Sequence, residues 1–203
     1  KFSRASTRLG SGMKSVGEVM AIARSFEEAL QKALRMLDIG VQGLTGNGHL
    51  NFDNLQEELR EPTHQRIFAV PAALKEGYSI DDIHAACHID KWFLRKIQNI
   101  VSIENRLTKH RGEMCPPELL RTAKKAGFGD RQIGSLLELN ESRVRKERES
   151  LGIVPSVKQI DTLAGEYPAQ TNYLYVTYNG TEDDITSTSN RNSLVILRSR
   201  SFP

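Results

Sequence analysis

From Asn54 to Gly152 the sequence alternates short apolar-periodic stretches with residues that start or stop helices, and this punctuation narrows the fold more than any other feature. "NLQEELRE" reads as a short polar-faced helix ended by Pro62, and "QRIFAVPAALKEG" carries an apolar run ending at Gly77. Ser79 with Asp82 starts a helix over 80–88. Asp90 caps the longest, over 91–109, where Trp92, Phe93, Ile97, Ile100, Val101, Glu104 and Leu107 recur at helical spacing. Its apolar members, Trp92 included as an anchor, are expected to form the core of a helical domain. Three short helices follow: 117–126 after Pro116 and closed by Gly127, 131–138 after Asp130, and 141–151 after Asn140 and closed by Gly152. A chain punctuated in this way is mainly α.

The flanks read differently. In "MKSVGEVMAIAR" (13–24), Val16, Val19, Met20 and Ile22 make a short apolar run after glycine-containing text, which predicts a buried strand. Ser25 and Glu28 fit a capping box, with the Glu28 carboxylate returning to the Ser25 amide, ahead of a helix over 26–38. Its stripe is Phe26, Leu30, Ala33, Leu34 and Leu37. Residues 39–54 hold four of the fifteen glycines and are expected to be a loop and a domain boundary. Past 153, "TNYLYVTYNG" alternates as a strand ending in an Asn-Gly turn, while 181–193 is polar and expected to be mobile. "NSLVIL" (192–197) is strand-like, and "RSRSFP" after it reads as an atypical terminus. The start at Lys1 without methionine suggests a piece of a longer chain.

Charge excludes little: 28 basic against 25 acidic side chains gives +3, with both signs mixed, so no polyanion is indicated. No window approaches 18 consecutive apolar residues and "KFSRASTRLGSG" lacks the apolar core of a signal peptide, so the expectation is a soluble intracellular chain without membrane contact. The two cysteines, Cys87 and Cys115, suit a reducing compartment.

Three chemical motifs invite a test. "GSGMKS" (10–15) fails as a phosphate loop because Gly10 and Gly12 are one residue apart and Met13 separates Gly12 from Lys14. His84, Cys87 and His88 share a predicted helix, but no third and fourth zinc ligand accompanies them, so no metal site is assigned. "GFGDRQIGSLLELNESRVRKERESLGI" scans as a helix-turn-helix with Arg143, Arg145, Lys146 and Arg148 on its second helix. A nucleic-acid-binding module is therefore the rival reading, although residues 118–151 carry eight basic against six acidic side chains.

Three stretches in collinear order resemble one family, the large synthetase portion of carbamoyl-phosphate synthetase. "MKSVGEVMAIARSFEEALQKALRML" (13–37) is similar to the end of its first ATP-grasp half, "IDKWFL" (89–94) to its connecting helical domain, and "VKQIDTLAGEYPAQTNYLYVTYNG" (157–180) to the lead into its second half. "KHRGEMCPPELLRTAKKAGFGDRQI" most resembles the animal multifunctional pyrimidine-pathway branch, which also carries aspartate transcarbamylase and dihydroorotase, with the mitochondrial urea-cycle branch second. Ala23 stands where the family usually has Gly, and a left-handed backbone there would strain it.

The resemblance implies a helical connection (oligomerisation) domain preceded by a short α/β tail of an ATP-grasp domain. Its parts would be the tail over 1–38, a loop over 39–54, the helical domain over 55–155 and an outgoing segment over 156–203. It implies a ligase, forming carbamoyl phosphate from bicarbonate and ammonia or glutamine at the expense of ATP, with Mg (or Mn) in the parent. This segment would hold no catalytic residue, cofactor or metal of its own. Implied partners are the remaining synthetase halves, the glutaminase portion and further copies of the chain, with no nucleic acid. The implied location is cytoplasmic, or mitochondrial for the second branch. Glu18 matches a glutamate lining the internal passage of the carbamate intermediate, with Met13 at its wall.

Overall fold

The structure is a computed structural model that describes residues 6–15, 17–48, 51–168, 170 and 173–185. Among the described residues eight helices follow in order: α1 Phe26–Met36, α2 Leu55–Arg60, α3 Arg66–Lys75, α4 Ile80–Cys87, α5 Lys91–Leu107, α6 Pro117–Lys125, α7 Asp130–Leu137 and α8 Glu141–Ser150, with a 3-10 turn Thr108–His110 after α5. Strands β1 Ser156–Gln159 and β2 Leu174–Thr177 close the sequence of elements.

The expected punctuation acts as physical chemistry says it should. Ser79 and Asp82 form a full capping box, and the Asp90 carboxylate accepts from the Trp92 amide at 2.8 Å, each satisfying an orphan N–H of a first turn. Gly77, Gly127 and Gly152 take left-handed backbone just past α3, α6 and α8, where a side chain would be strained. Ala23 is not left-handed, so the anticipated strain does not arise there.

Helix α5 is the axis of the core, packing against α1, α3, α4, α6 and α7. Leu94, Ile97, Ile100, Val101, Ile103 and Leu107 are buried along it. Trp92 and Phe93 are not: they are 51% and 42% exposed, which corrects the expectation of a core anchor at Trp92. The reason is helical phase, because residues two apart point to opposite sides, so the stripe that begins at Leu94 leaves Trp92 outside. Phe93, on the first turn, leans instead on the Phe26 ring, 5.2 Å between centroids.

The described residues between α1 and α2 form neither helix nor strand, but the core continues through them: Val41 and Leu44 are buried in one cluster with Leu34, Leu94 and Ile133. Gln31, fully buried, accepts the Leu44 amide and donates to the Ala126 carbonyl, so α1 is fastened to the loop and to the end of α6.

The strand expected over 13–24 is absent among the described residues, and Met20 is 75% exposed. A strand needs a ladder partner, and the Ile22 carbonyl meets the Lys32 ammonium instead. Leu174–Thr177 is a strand as expected, antiparallel to β1 with Ser156 opposite Thr177 and Gln159 opposite Leu174. The Asn-Gly pair follows β2 and does not close that hairpin. Residues 183 and 184, expected to be mobile, are tied to β1: Asp183 and Asp184 carboxylates accept from the Val157 and Gln159 amides, and Lys158 pairs with Asp184. "NSLVIL" and "RSRSFP" lie outside the described residues.

Candidate functional site

Among the described residues a densely connected polar group sits at the start of α1. Ser25 accepts from the Glu28 amide at 3.3 Å, as the capping box requires, but the Glu28 carboxylate serves the amide of Arg24, one residue earlier than expected. That carboxylate is 1% exposed, and it also accepts from the Thr177 hydroxyl at 2.8 Å and the Asn179 carboxamide at 3.0 Å, with the Lys32 ammonium at 2.9 Å. Lys32 further donates to the carbonyls of Ile22 (3.0 Å) and Val176 (2.7 Å), and the Arg24 guanidinium reaches the Tyr175 hydroxyl. The incoming segment 22–25 and the outgoing strand β2 are thus sewn to each other across one face of α1.

Burial pushes the Glu28 carboxyl up, but hydrogen bonds from Lys32, Asn179 and Thr177 outweigh it and hold the group below the usual carboxylate range. Behind it lies Gly127, left-handed at φ +87, where an added Cβ would stand 2.8 Å from the Glu28 Cα. Only glycine lets the α6–α7 turn approach α1 so closely. A second buried group lies against Tyr178, the residue after β2: Asp130 meets Lys124 at 2.6 Å and Arg148 at 3.2 Å, and Lys124 lies 4.8 Å from the centre of the Tyr178 ring. Burial raises the Asp130 carboxyl, and the two cations pull it below its ordinary value.

Beside the junction opens a cleft of about 590 Å³ lined by Met20, Ile22, Lys32, Arg35, Leu174 and Val176. Its two cations are committed, Lys32 as described and Arg35 to the Gly127 carbonyl at 2.7 Å. Glu18 and Met13 stand apart from both cleft and junction, exposed on the incoming segment. Neither Lys14 nor Arg24 forms an ion pair with Glu18; Lys14 donates to the Arg8 carbonyl.

The remaining motifs resolve into structure. Among the described residues no helix lies between "GSGMKS" and α1 to offer its N-terminal amides to phosphate. His84 bonds the Ile89 carbonyl at 2.7 Å, Cys87 is buried, and His88 is the left-handed cap of α4, so the three do not converge; among the described residues no group of three metal-ligating side chains forms. The helix-turn-helix reading fails on its basic residues. Arg148 is buried on Asp130 and the Ile153 carbonyl, and Arg145 holds Glu141 at 2.6 Å, which leaves Arg143 and Lys146 as the exposed, uncommitted pair on α8. Sequence reasoning missed Glu28, Thr177 and Asn179 as a unit, since they are some 149–151 positions apart and only the capping pattern at Ser25 marked one of them.

The helical unit thus has its incoming and outgoing segments bound together at one junction. The chain belongs to the family described as carbamoyl-phosphate synthetase large chain, oligomerisation domain, whose model matches residues 18–152. It is 51% identical over 190 residues to the mitochondrial carbamoyl-phosphate synthase [ammonia] of Aquarana catesbeiana, covering 91% of this chain and 13% of that protein. It is 50% identical over 186 residues to the multifunctional protein CAD of Squalus acanthias, covering 91% of this chain and 8% of that one. Against the multifunctional protein pyr1-3 of Dictyostelium discoideum it is 46% identical, over all of this chain and 9% of the relative. The chain therefore spans only about an eighth of the length of these relatives or less.

Proposed function

We propose that this chain is the connecting segment of a carbamoyl-phosphate synthase, holding the two synthetase halves in fixed relation and supporting self-association, while ATP-dependent chemistry on bicarbonate and ammonia or glutamine takes place in the halves. The observation that carries this reading is the junction: whatever precedes Arg24 and whatever follows Asn179 are coupled through Arg24, Glu28 and Lys32. ATP and Mg (or Mn) belong to the parent enzyme, as does the glutaminase partner. The domain limits proposed are the tail over 1–38, the loop over 39–54, the helical unit over 55–155 and the outgoing segment over 156–203. Pyrimidine synthesis in the cytoplasm is the pathway proposed, on the likeness of "KHRGEMCPPELL" to the multifunctional branch. The frog relative, at 51% identity, favours the mitochondrial alternative, and finding transcarbamylase sequence in the same transcript decides between them.

Glu18 and Met13 are proposed to line the passage of carbamate between the halves; an exposed Glu18 carboxylate without an ion pair to Lys14 or Arg24 is free to do so. Carbamate is an anion, so a cation at this point should hold it back. In the full-length parent, Glu18→Lys should leave bicarbonate-dependent ATP hydrolysis largely intact while carbamoyl phosphate formation falls about tenfold or more, at least about 1.4 kcal/mol on the transfer alone. Equal loss of both activities assigns Glu18 to folding. Calorimetric titration of the 203-residue chain with Mg-ATP should give no saturable heat.

A further inference from the structure

We propose that the ring cluster of Phe26, Trp92 and Phe93 is a docking face for the body that precedes α1 in the full-length synthetase, a surface with an apolar centre and a carboxylate opposite Arg95. The inference rests on the reading of this chain as a segment of such an enzyme. The three rings are locked together, with centroids 5.5, 5.2 and 4.9 Å apart and near-perpendicular or tilted planes, and Lys96 lies 5.3 Å from the Trp92 ring centre. Yet Trp92 and Phe93 stay about half exposed, whereas Phe68 and Phe128 are buried. Rigid, partly exposed aromatics lose little entropy on contact and are the residue type that dominates interface energetics.

Size and position choose the occupant. The exposed parts of Trp92 and Phe93 amount to roughly 200 Å², given about 150–250 Å² for a whole aromatic side chain. A free partner needs about 800 Å² on each side, so this face cannot hold one alone, but it suffices for a tethered body at high effective concentration. The tether is in place, since Phe26 is the first residue of α1 and follows directly on the incoming segment fixed at Arg24 and Ser25. That segment has strand-type sequence and forms no strand among the described residues. At the rim Lys91 pairs with Asp81 and Lys96 with Glu27, while Arg95 has no ion pair among the described residues and gives the partner's carboxylate its place.

Hydroxyl-radical footprinting with peptide-resolved mass spectrometry tests this on the 203-residue chain and on the full-length parent. The peptide holding Trp92 and Phe93 should oxidise about fivefold or more slowly in the parent, and at a constant rate in the short chain over about a hundredfold range of concentration. Equal reactivity in both proteins overturns the docking face. Protection appearing in the short chain as concentration and sedimentation coefficient rise together overturns it as well, assigning the rings to a second copy. Carbamoyl phosphate formation by the parent is measured on the same sample; its absence with ring protection retained counts against the synthetase reading and leaves the docking face standing.

Discussion

Glu28 illustrates how one buried charge can be worth keeping. Its carboxylate is almost wholly removed from water but receives Lys32, Thr177, Asn179 and the Arg24 amide, so its lone pairs are filled. Glu28→Ala would take the counter-charge from Lys32, which keeps the Ile22 and Val176 carbonyls, and would leave a fully buried Thr177 hydroxyl without its acceptor, and is expected to cost about 3 kcal/mol in urea melts. The same group sets a pH dependence. Its folded pKa is depressed, as is that of Asp130, so their stabilisation is complete above the unfolded values, 4.5 for Glu28 and 3.8 for Asp130, and is lost as pH falls through the lower folded values. Melting temperature should therefore be flat down to about pH 5 and drop below it, and the drop should be shallower in Glu28→Gln, which has no carboxylate to titrate. Gly127→Ala is expected to lose about 2 kcal/mol or more, because left-handed backbone and a 2.8 Å approach to the Glu28 Cα act together.

At the scale of elements, α5 separates what was readable in the sequence from what was not. Its start, its Asp90 cap and the buried run from Ile97 to Leu107 follow from spacing, because capping and periodicity are local, while its end falls at Leu107, two residues before the expected 109, where a 3-10 turn takes over. Which side of the first turn meets the core is set by neighbouring helices, and a stripe read from residue 92 onward includes two positions that those neighbours do not cover. Trp92→Ala should consequently cost the isolated chain less than about 1.5 kcal/mol, whereas Ile100→Ala, at full burial, should cost about 2–5 kcal/mol in the same denaturant melts. The junction was legible only at Ser25 and Glu28, since its other members come from β2 and beyond, and long-range hydrogen bonds leave no periodic trace. Strand content over 13–24 misled for a related reason: β-forming side chains state a preference, and a strand forms only where a ladder partner meets it.

For the whole molecule, a single α5-centred core extends from Leu34 through the 39–54 loop to Ile153, so mechanical load applied at either end reaches one packed body. One ammonium, that of Lys32, touches the Ile22 carbonyl at 3.0 Å and the Val176 carbonyl at 2.7 Å, which places these two backbone points no more than about 6 Å apart. The polypeptide leaves the helical unit almost where it arrived. In topological terms the stretch from Ile22 to Asn179 is closed on itself, and such a cassette is permutable. Joining Asn179 to Ile22 through a short glycine linker and opening new ends at the exposed Gly112 turn should yield a chain with the same helices.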